Sequence, residues 1–364
     1  MRSPKTLVMH FKKILVLLAL VLVVFLFQQC SKKDTVSSTP AETATAPNLP
    51  ATTFNYVNTY PAFIQNSLNL NDNTPADNTI TNDGATLGRV LFYDKHLSKN
   101  NSISCGSCHK PDASFSDNTI LSKGFNDGLT ARHSMALLNV RFYKSGKMFW
   151  DERAPSLEKQ VLQPIQNTVE MGLTLAELES KVQGLNYYPA LFQKAFGSTQ
   201  IDSVKIAKAL AQFVRSIVTF QSKYDQVKQG LATFSADETA GEQLFITAPA
   251  PGVPACGGCH TPPMFITSAP VAPFAFPDPT DAGINNQNRF KSGSLRNIAL
   301  TAPYFHNGKV ASLSAMLNGG PPGSPTHVPA HSVAPADAPK LLAFLQTLTD
   351  NSVTTETKFC DPFK

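Results

Sequence analysis

The chain has 364 residues, enough for two domains, and sets 31 Lys and Arg against 26 Asp and Glu for a formal net charge of +5. Four of the positive charges, Arg2, Lys5, Lys12 and Lys13, fall in the first 13 residues, and without them the balance is +1 (5 − 4). So neutral a body excludes binding of polyanions by charge, hence no nucleic-acid partner, and six cysteines in a chain this long exclude a disulfide scaffold.

In chain order, the basic start is followed by "ILVLLALVLVVFLF" (14–27), an apolar run of signal-peptide length. Cys30 follows in "FLFQQCSKKD" and resembles a lipoprotein processing site, although Gln28 and Gln29 stand where small residues are usual. Residues 1–30 are therefore read as a lipoprotein signal, with an uncleaved anchor or a differently cut soluble protein as alternatives. Each places the protein outside the cytoplasm, and the first gives a lipid-anchored protein of the periplasm or cell envelope. Residues 31–52, rich in Ser, Thr, Ala and Pro, read as a flexible tether.

Helical signals dominate the rest of the chain. Thr174 and Glu177 form a capping-box pattern opening a helix over 174–183. Residues 201–227 read as one long helix, with Val204, Ala207, Leu210, Ala211, Val214, Ile217 and Val218 on its apolar face. Ser235 and Glu238 start another helix over 235–245, and 335–350 closes the fold as a last one. Pro- and Gly-rich loops at 246–264 and 318–339 separate them. The fold class is all-α with long loops, divided near 222–234 into two halves, 53–222 and 223–350, with a tail at 351–364. Cys360 in that tail is left over, either free or intermolecular.

Each half carries one CxxCH frame, "CGSCH" at 105–109 and "CGGCH" at 256–260. Two Cys at i and i+3 add to the two vinyl groups of a porphyrin, and the adjacent His then reaches its iron. Cys105, Cys108 and His109 would hold one haem c, and Cys256, Cys259 and His260 a second, with His109 and His260 as iron ligands. A four-cysteine zinc site is the competing assignment. Zinc pairs, however, usually lie about 15–20 residues apart and need no His after each pair.

Three blocks carry a resemblance: "LGRVLFYDKHLSKNNSISCGSCH", "MFWDERAPSLEKQVLQPIQNTVEMG" and "RFKSGSLRNIALTAPYFHNGKVASL". From about residue 84 to 349 the chain resembles the bacterial di-haem cytochrome c peroxidase family with its MauG-like branch. The resemblance implies two cytochrome c-like haem domains, the first peroxidatic and the second electron-transferring. It implies hydrogen peroxide as substrate and a small cytochrome c or cupredoxin as electron donor, and it is compatible with a homodimer. It assigns Glu170 as catalytic acid/base, Gln160 as the amide that bonds the oxygen ligand, and Trp150, the chain's single Trp, as the residue between the haems.

The chain also departs from that family. Many members carry a His on the loop after the first CxxCH that blocks the first iron, and here that position is Phe125. His133 stands where Asn is frequent beside a bound calcium. With the carbonyls of Thr301 and Pro303 as the other contacts, His is a poor exchange for a hard cation, and calcium is doubtful. His133 reads instead as a hydrogen-bonded interdomain residue. The sixth ligand of the second haem, Met in the peroxidases and Tyr in the MauG-like branch, would fall at Gly320. Met316 is the nearest candidate metal ligand, with His327 and His331 behind it, and no Tyr follows Tyr304. His306 reads as a residue of the haem–haem interface, and Arg153 and Arg296 as partners of haem propionates. The alternatives to a peroxidase are a MauG-like oxidase acting on a protein or organic substrate, and a di-haem electron carrier without catalysis.

Overall fold

The structure, a computed structural model, describes residues 46–249, 255–266, 280–319 and 331–364, apart from 58 and 332. The signal segment, Cys30, most of the tether, Gly320 and His327 lie outside them. The helices are α1 (Ala62–Asn71), α2 (Asn82–Tyr93), α3 (Cys105–Cys108), α4 (Leu157–Gln160), α5 (Leu162–Gln166), α6 (Leu175–Gln183) and α7 (Tyr188–Phe196). They continue with α8 (Ser203–Ser216), α9 (Lys223–Lys228), α10 (Ala236–Ile246), α11 (Cys256–Cys259), α12 (Leu313–Leu317), α13 (Ala338–Gln346) and α14 (Ser352–Thr355). Among the described residues β-structure is confined to isolated bridges, and no helix is long and apolar enough to cross a membrane.

Local chemistry explains the helix starts. At α6 the Thr174 hydroxyl accepts from Glu177 N while the Glu177 carboxylate accepts from Thr174 N at 2.8 Å. Ser235 and Glu238 repeat the arrangement at α10. The expected single helix over 201–227 is instead two, α8 and α9. The run Ile217-Val218-Thr219 is β-branched, which disfavours helix, and Asn139 Oδ1 captures Thr219 N at 3.1 Å. Ser222 then restarts the helix with Asp225 as its capping partner. Val204, counted on the apolar face, is 63% exposed. The closing helix is shorter than 335–350: Pro339 fixes its start, and it ends at Gln346, where the Thr347 hydroxyl donates to Phe344 O at 2.6 Å.

Two helix crossings organise the molecule, α2 on α8 and α10 on α13. Each closes on a glycine. A Cβ on Gly88 would lie 2.0 Å from Ala209 O, and one on Gly241 would lie 2.0 Å from Lys340 O. Gly88→Ala is therefore expected to push α2 off α8 and lower the unfolding free energy by about 1–3 kcal/mol, as overpacking does, measured by denaturant titration. Two apolar clusters result. The larger includes Tyr56, Phe92, Phe213 and Phe220, and the smaller runs from Tyr224 to Leu348. The last residues return to the larger one. Tyr56 Oη and Arg89 Nε donate to the carbonyls of Lys358 and Cys360 at 2.9 and 2.7 Å, and Asn48 N donates to Pro362 O at 2.7 Å. Residues 351–364 are thus built into the first half rather than trailing, and Cys360 is buried.

The halves share one plan. After each CxxCH turn a Phe takes left-handed backbone, Phe115 (φ 59°) and Phe265 (φ 55°). Asn139 and Asn297 repeat that conformation (φ 56° and 58°), and their N–H groups donate to Ile217 O and Leu348 O. The bridges Met148–Ala154 and Tyr304–Val310 bracket the equivalent Phe149 and Phe305. Ser156 and Ser312 then cap α4 and α12. Where the halves meet, the contacts are reciprocal. His133 N donates to His306 O at 2.7 Å, and its equivalent Lys291 N donates to Trp150 O at 2.7 Å. Trp150 and His306, themselves equivalent, touch edge to face with ring centroids 6.4 Å apart.

Candidate active site

In the first half the CxxCH turn is α3, and His109 closes it. Gly106 is needed there, because a Cβ would lie 2.5 Å from the Tyr93 ring on which the turn rests. His109 Nδ1 donates to Phe115 O at 3.0 Å, which fixes the tautomer and leaves Nε2 as the metal-binding nitrogen. In the second half His260 closes α11, with Nδ1 3.3 Å from Ser292 Oγ. Burial lowers the pKa of both, that of His260 to about 3, so both imidazoles are neutral, as metal ligands must be. The four cysteines are free thiols. Burial pushes Cys105 up to about 12 and Cys108 up to about 11, so without a bound group both are protonated thiols. Among the described residues no three His, Cys, Asp or Glu side chains converge in metal-binding geometry, so the two pairs do not build one zinc centre. A turn of two free thiols closed by a neutral histidine fits a haem in each half.

Glu170 sits in the turn after α5. Asn167 Oδ1 accepts from Val169 N at 2.8 Å and from Glu170 N at 3.2 Å, which shapes that turn. Phe149, Arg153, Gln163, Pro164, Gln166, Asn167 and Glu170 line a cleft of about 310 Å³. Burial raises the Glu170 pKa and the Arg153 charge opposes the rise. After burial, the field of Glu170 contributes to raising both Cys105 and Cys108, so the carboxylate lies within electrostatic reach of the first CxxCH turn. Gln160, half-buried on α4, is outside the lining. Gln163 is in it and escapes a reading of the sequence, although it follows Gln160 by three residues, the spacing that puts two helical side chains on one face.

The loop carrying Phe125 is locked to the same turn. Phe125 N donates to Glu170 O at 2.8 Å, and Asn100 Nδ2 donates to Phe125 O at 2.7 Å. Gly124 allows the approach, since a Cβ there would lie 1.7 Å from Val169 O.

Trp150 lies at the meeting of the halves, its Nε1 donating to His133 O at 2.7 Å. His306 stacks on Phe290 with centroids 3.5 Å apart. The His133 ring is spoken for, with Nε2 3.3 Å from Ser116 Oγ and Nδ1 3.1 Å from Thr119 O, so it is a hydrogen-bonded seam residue. Arg296 does not have the role expected for it. Its guanidinium is buried in a two-pronged pair with Asp225, both distances 2.8 Å, and also donates to Pro263 O and Thr219 O. That leaves no prong for a propionate. Arg153 pairs with Asp151 at 2.8 Å and lies 3.6 Å over the Phe149 ring. Met316, on α12, is half-buried against the smaller core at the position equivalent to Gln160.

Residues 82–233 match the family model for di-haem cytochrome c peroxidase. The cytochrome c551 peroxidase of Nitrosomonas europaea is 34% identical over 243 residues, 64% of this chain and 70% of that one. The methylamine utilization protein MauG of Methylorubrum extorquens is 30% identical over 293 residues, 75% of this chain and 80% of that one. The chain belongs to the di-haem cytochrome c peroxidase family. It is therefore an oxidoreductase, and membership implies haem c groups, which the two CxxCH turns fit. Among solved structures, a MauG-like protein associated with microbial copper homeostasis superposes with a TM-score of 0.71 at 29% identity, covering 81% of this chain and 97% of that one. The diheme peroxidase BthA of Burkholderia thailandensis shares the family fold, with a TM-score of 0.64 at 22% identity, covering 76% of this chain and 88% of that one.

Proposed function

We propose that the protein reduces hydrogen peroxide to water with electrons from a small cytochrome c or cupredoxin. The observation that carries this is Glu170: a carboxyl of raised pKa in an open cleft within electrostatic reach of the first CxxCH turn, with a non-ligating Phe125 on the adjoining loop. In this reading residues 53–222 and 223–350 are two cytochrome c-like units. Cys105, Cys108, Cys256 and Cys259 hold the haems covalently, and His109 and His260 bind the irons. When bound, the first haem supplies an iron position for peroxide, and the second supplies an electron.

The chain's own residues do the rest. Glu170 takes the proton from the near oxygen of peroxide and returns it to the far one, so that water departs. The amide of Gln163, in the cleft lining, orients the oxygens, and the positive charge of Arg153 favours the ionised form of Glu170. Trp150 links the halves through His306 and His133. The amino-terminal signal gives a lipid-anchored protein of the periplasm or cell envelope, and a homodimer is compatible with this reading.

A MauG-like oxidase acting on a protein or organic substrate is the second reading, favoured by the 30% identity to MauG. Against it, Tyr304 is buried with its hydroxyl donating to Ile298 O at 2.8 Å, and no Tyr follows it. The purified protein is expected to carry two c-type haems per chain and to oxidise a reduced small cytochrome c in a peroxide-dependent way. Two haems with no such oxidation would overturn the peroxidase assignment.

A further inference from the structure

His331 is a residue that neither half's CxxCH chemistry uses. Its Nδ1 is sealed from solvent and has no hydrogen-bond partner among the described residues. A buried polar nitrogen left this way costs about 1–3 kcal/mol unless a group outside the polypeptide satisfies it. The His331 ring faces that of His260, with centroids 6.4 Å apart and planes inclined by 41°. That is too far for stacking; Phe290 and His306, which do stack, are 3.5 Å apart. Rings that only touch, such as Trp150 and His306, can be as far apart, and the distance also matches two imidazoles that share one metal ion. Two metal–imidazole bonds of about 2.0–2.1 Å, with about 1.1 Å from each nitrogen to its ring centre, span about 6.3 Å.

The internal repeat points the same way. In the first half the segment after α4 and α5 carries Glu170 within electrostatic reach of the CxxCH turn. In the second half His331 faces the ring of His260, and two residues on, Val333 N donates to Leu317 O at 3.0 Å at the end of α12. Each half thus sets one further titratable side chain toward its CxxCH turn, a carboxyl in one and an imidazole in the other. Met316 has a different place, on α12 itself, packed against the smaller core.

We propose that His331 is the sixth ligand of the second haem, opposite His260, so that this iron is held by two imidazoles rather than by an imidazole and a thioether. The proposal rests on the second CxxCH binding a haem. A thioether ligand raises the potential, whereas a second imidazole favours the ferric iron and keeps the potential lower. The second haem then yields its electron readily and demands a donor of lower potential.

The test uses the full-length haem-loaded protein. Haem content is counted first, and the second haem is then followed by its near-infrared charge-transfer band, its ferric electron paramagnetic resonance signal and its midpoint potential. The wild type is expected to show a low-spin bis-imidazole centre. His331→Met should retain two haems, convert the band to the thioether type and shift the potential upward. His331→Ala should turn the second haem high-spin. Met316→Leu should change none of these. If wild type carries two haems, a thioether band is present and Met316→Leu removes it, His331 is not the ligand and the di-haem reading survives. If His331→Met leaves spectrum and potential unmoved, the proposal fails in the same way. Fewer than two haems per chain overturns it together with the reading on which it rests.

Discussion

Glu170→Gln should lower peroxide turnover by about 10²–10⁴-fold while leaving both haems attached and the fold intact. The amide fills the carboxylate's volume and preserves the turn, because Asn167 holds that turn through the backbone of residues 169 and 170 rather than through the Glu170 side chain. What is lost is the capacity to take up and release a proton. The pH profile gives an independent reading. Burial raises the Glu170 pKa, so the ionised base is present above that raised value and disappears as pH falls through it. The acid limb of the activity should therefore lie above the ~4.3 of an ordinary glutamate, and the variant should lose that limb. Steady-state kinetics against pH, with haem content by alkaline pyridine spectra, check both. Undiminished activity in the variant removes Glu170 from the chemistry.

The largest effect on stability is expected at Asp225. This carboxylate is fully buried, receives both prongs of Arg296, and caps α9 by accepting from Ser222 N and Oγ at 3.0 and 2.7 Å. Asp225→Ala leaves a buried guanidinium without its counter-charge and a capping box without its reciprocal half, while Ser222 still caps α9. A cost of about 3–5 kcal/mol is expected from the stranded charge alone. Arg296 also holds Pro263 O and Thr219 O, so the loss should loosen the segment after His260 and the break between α8 and α9 together. Replacing both partners, Asp225→Leu with Arg296→Met, should recover the part due to the stranded charge but not the part due to Pro263 O, Thr219 O and Ser222 N, which lose their partners. Equilibrium unfolding of the single and double variants separates these outcomes. A single substitution costing under about 1 kcal/mol would show that the pair is solvated in solution.

How far the fold and the site are legible in the sequence depends on the range of the physics involved. The CxxCH frames and the capping boxes at Thr174 and Ser235 are local, with every participant within a few residues, and they read directly. The α8–α9 break is not legible, because the group that captures Thr219 N is Asn139, distant in sequence. Arg296 is misleading for the same reason. A lone Arg near a haem frame suits a propionate, and only the fold brings Asp225 to it. Gln163 is within reach of helical spacing from Gln160. Nothing local distinguishes His331 from His327, and its opposition to His260 exists only once the chain is folded.

The reciprocal pair of hydrogen bonds, His133 to His306 and Lys291 to Trp150, is what an approximate two-fold axis produces: each partner sees in the other the surface it presents itself. Such self-complementary seams are the mark of paired identical subunits. Within one chain the same self-complementary seam ties the two halves at two equivalent places, so a shift of one half against the other must break both bonds together. Covalent continuity, unlike a symmetric dimer, lets the two sides of that seam differ, and they do: Lys291 stands where His133 would repeat, and His306 where Trp150 would.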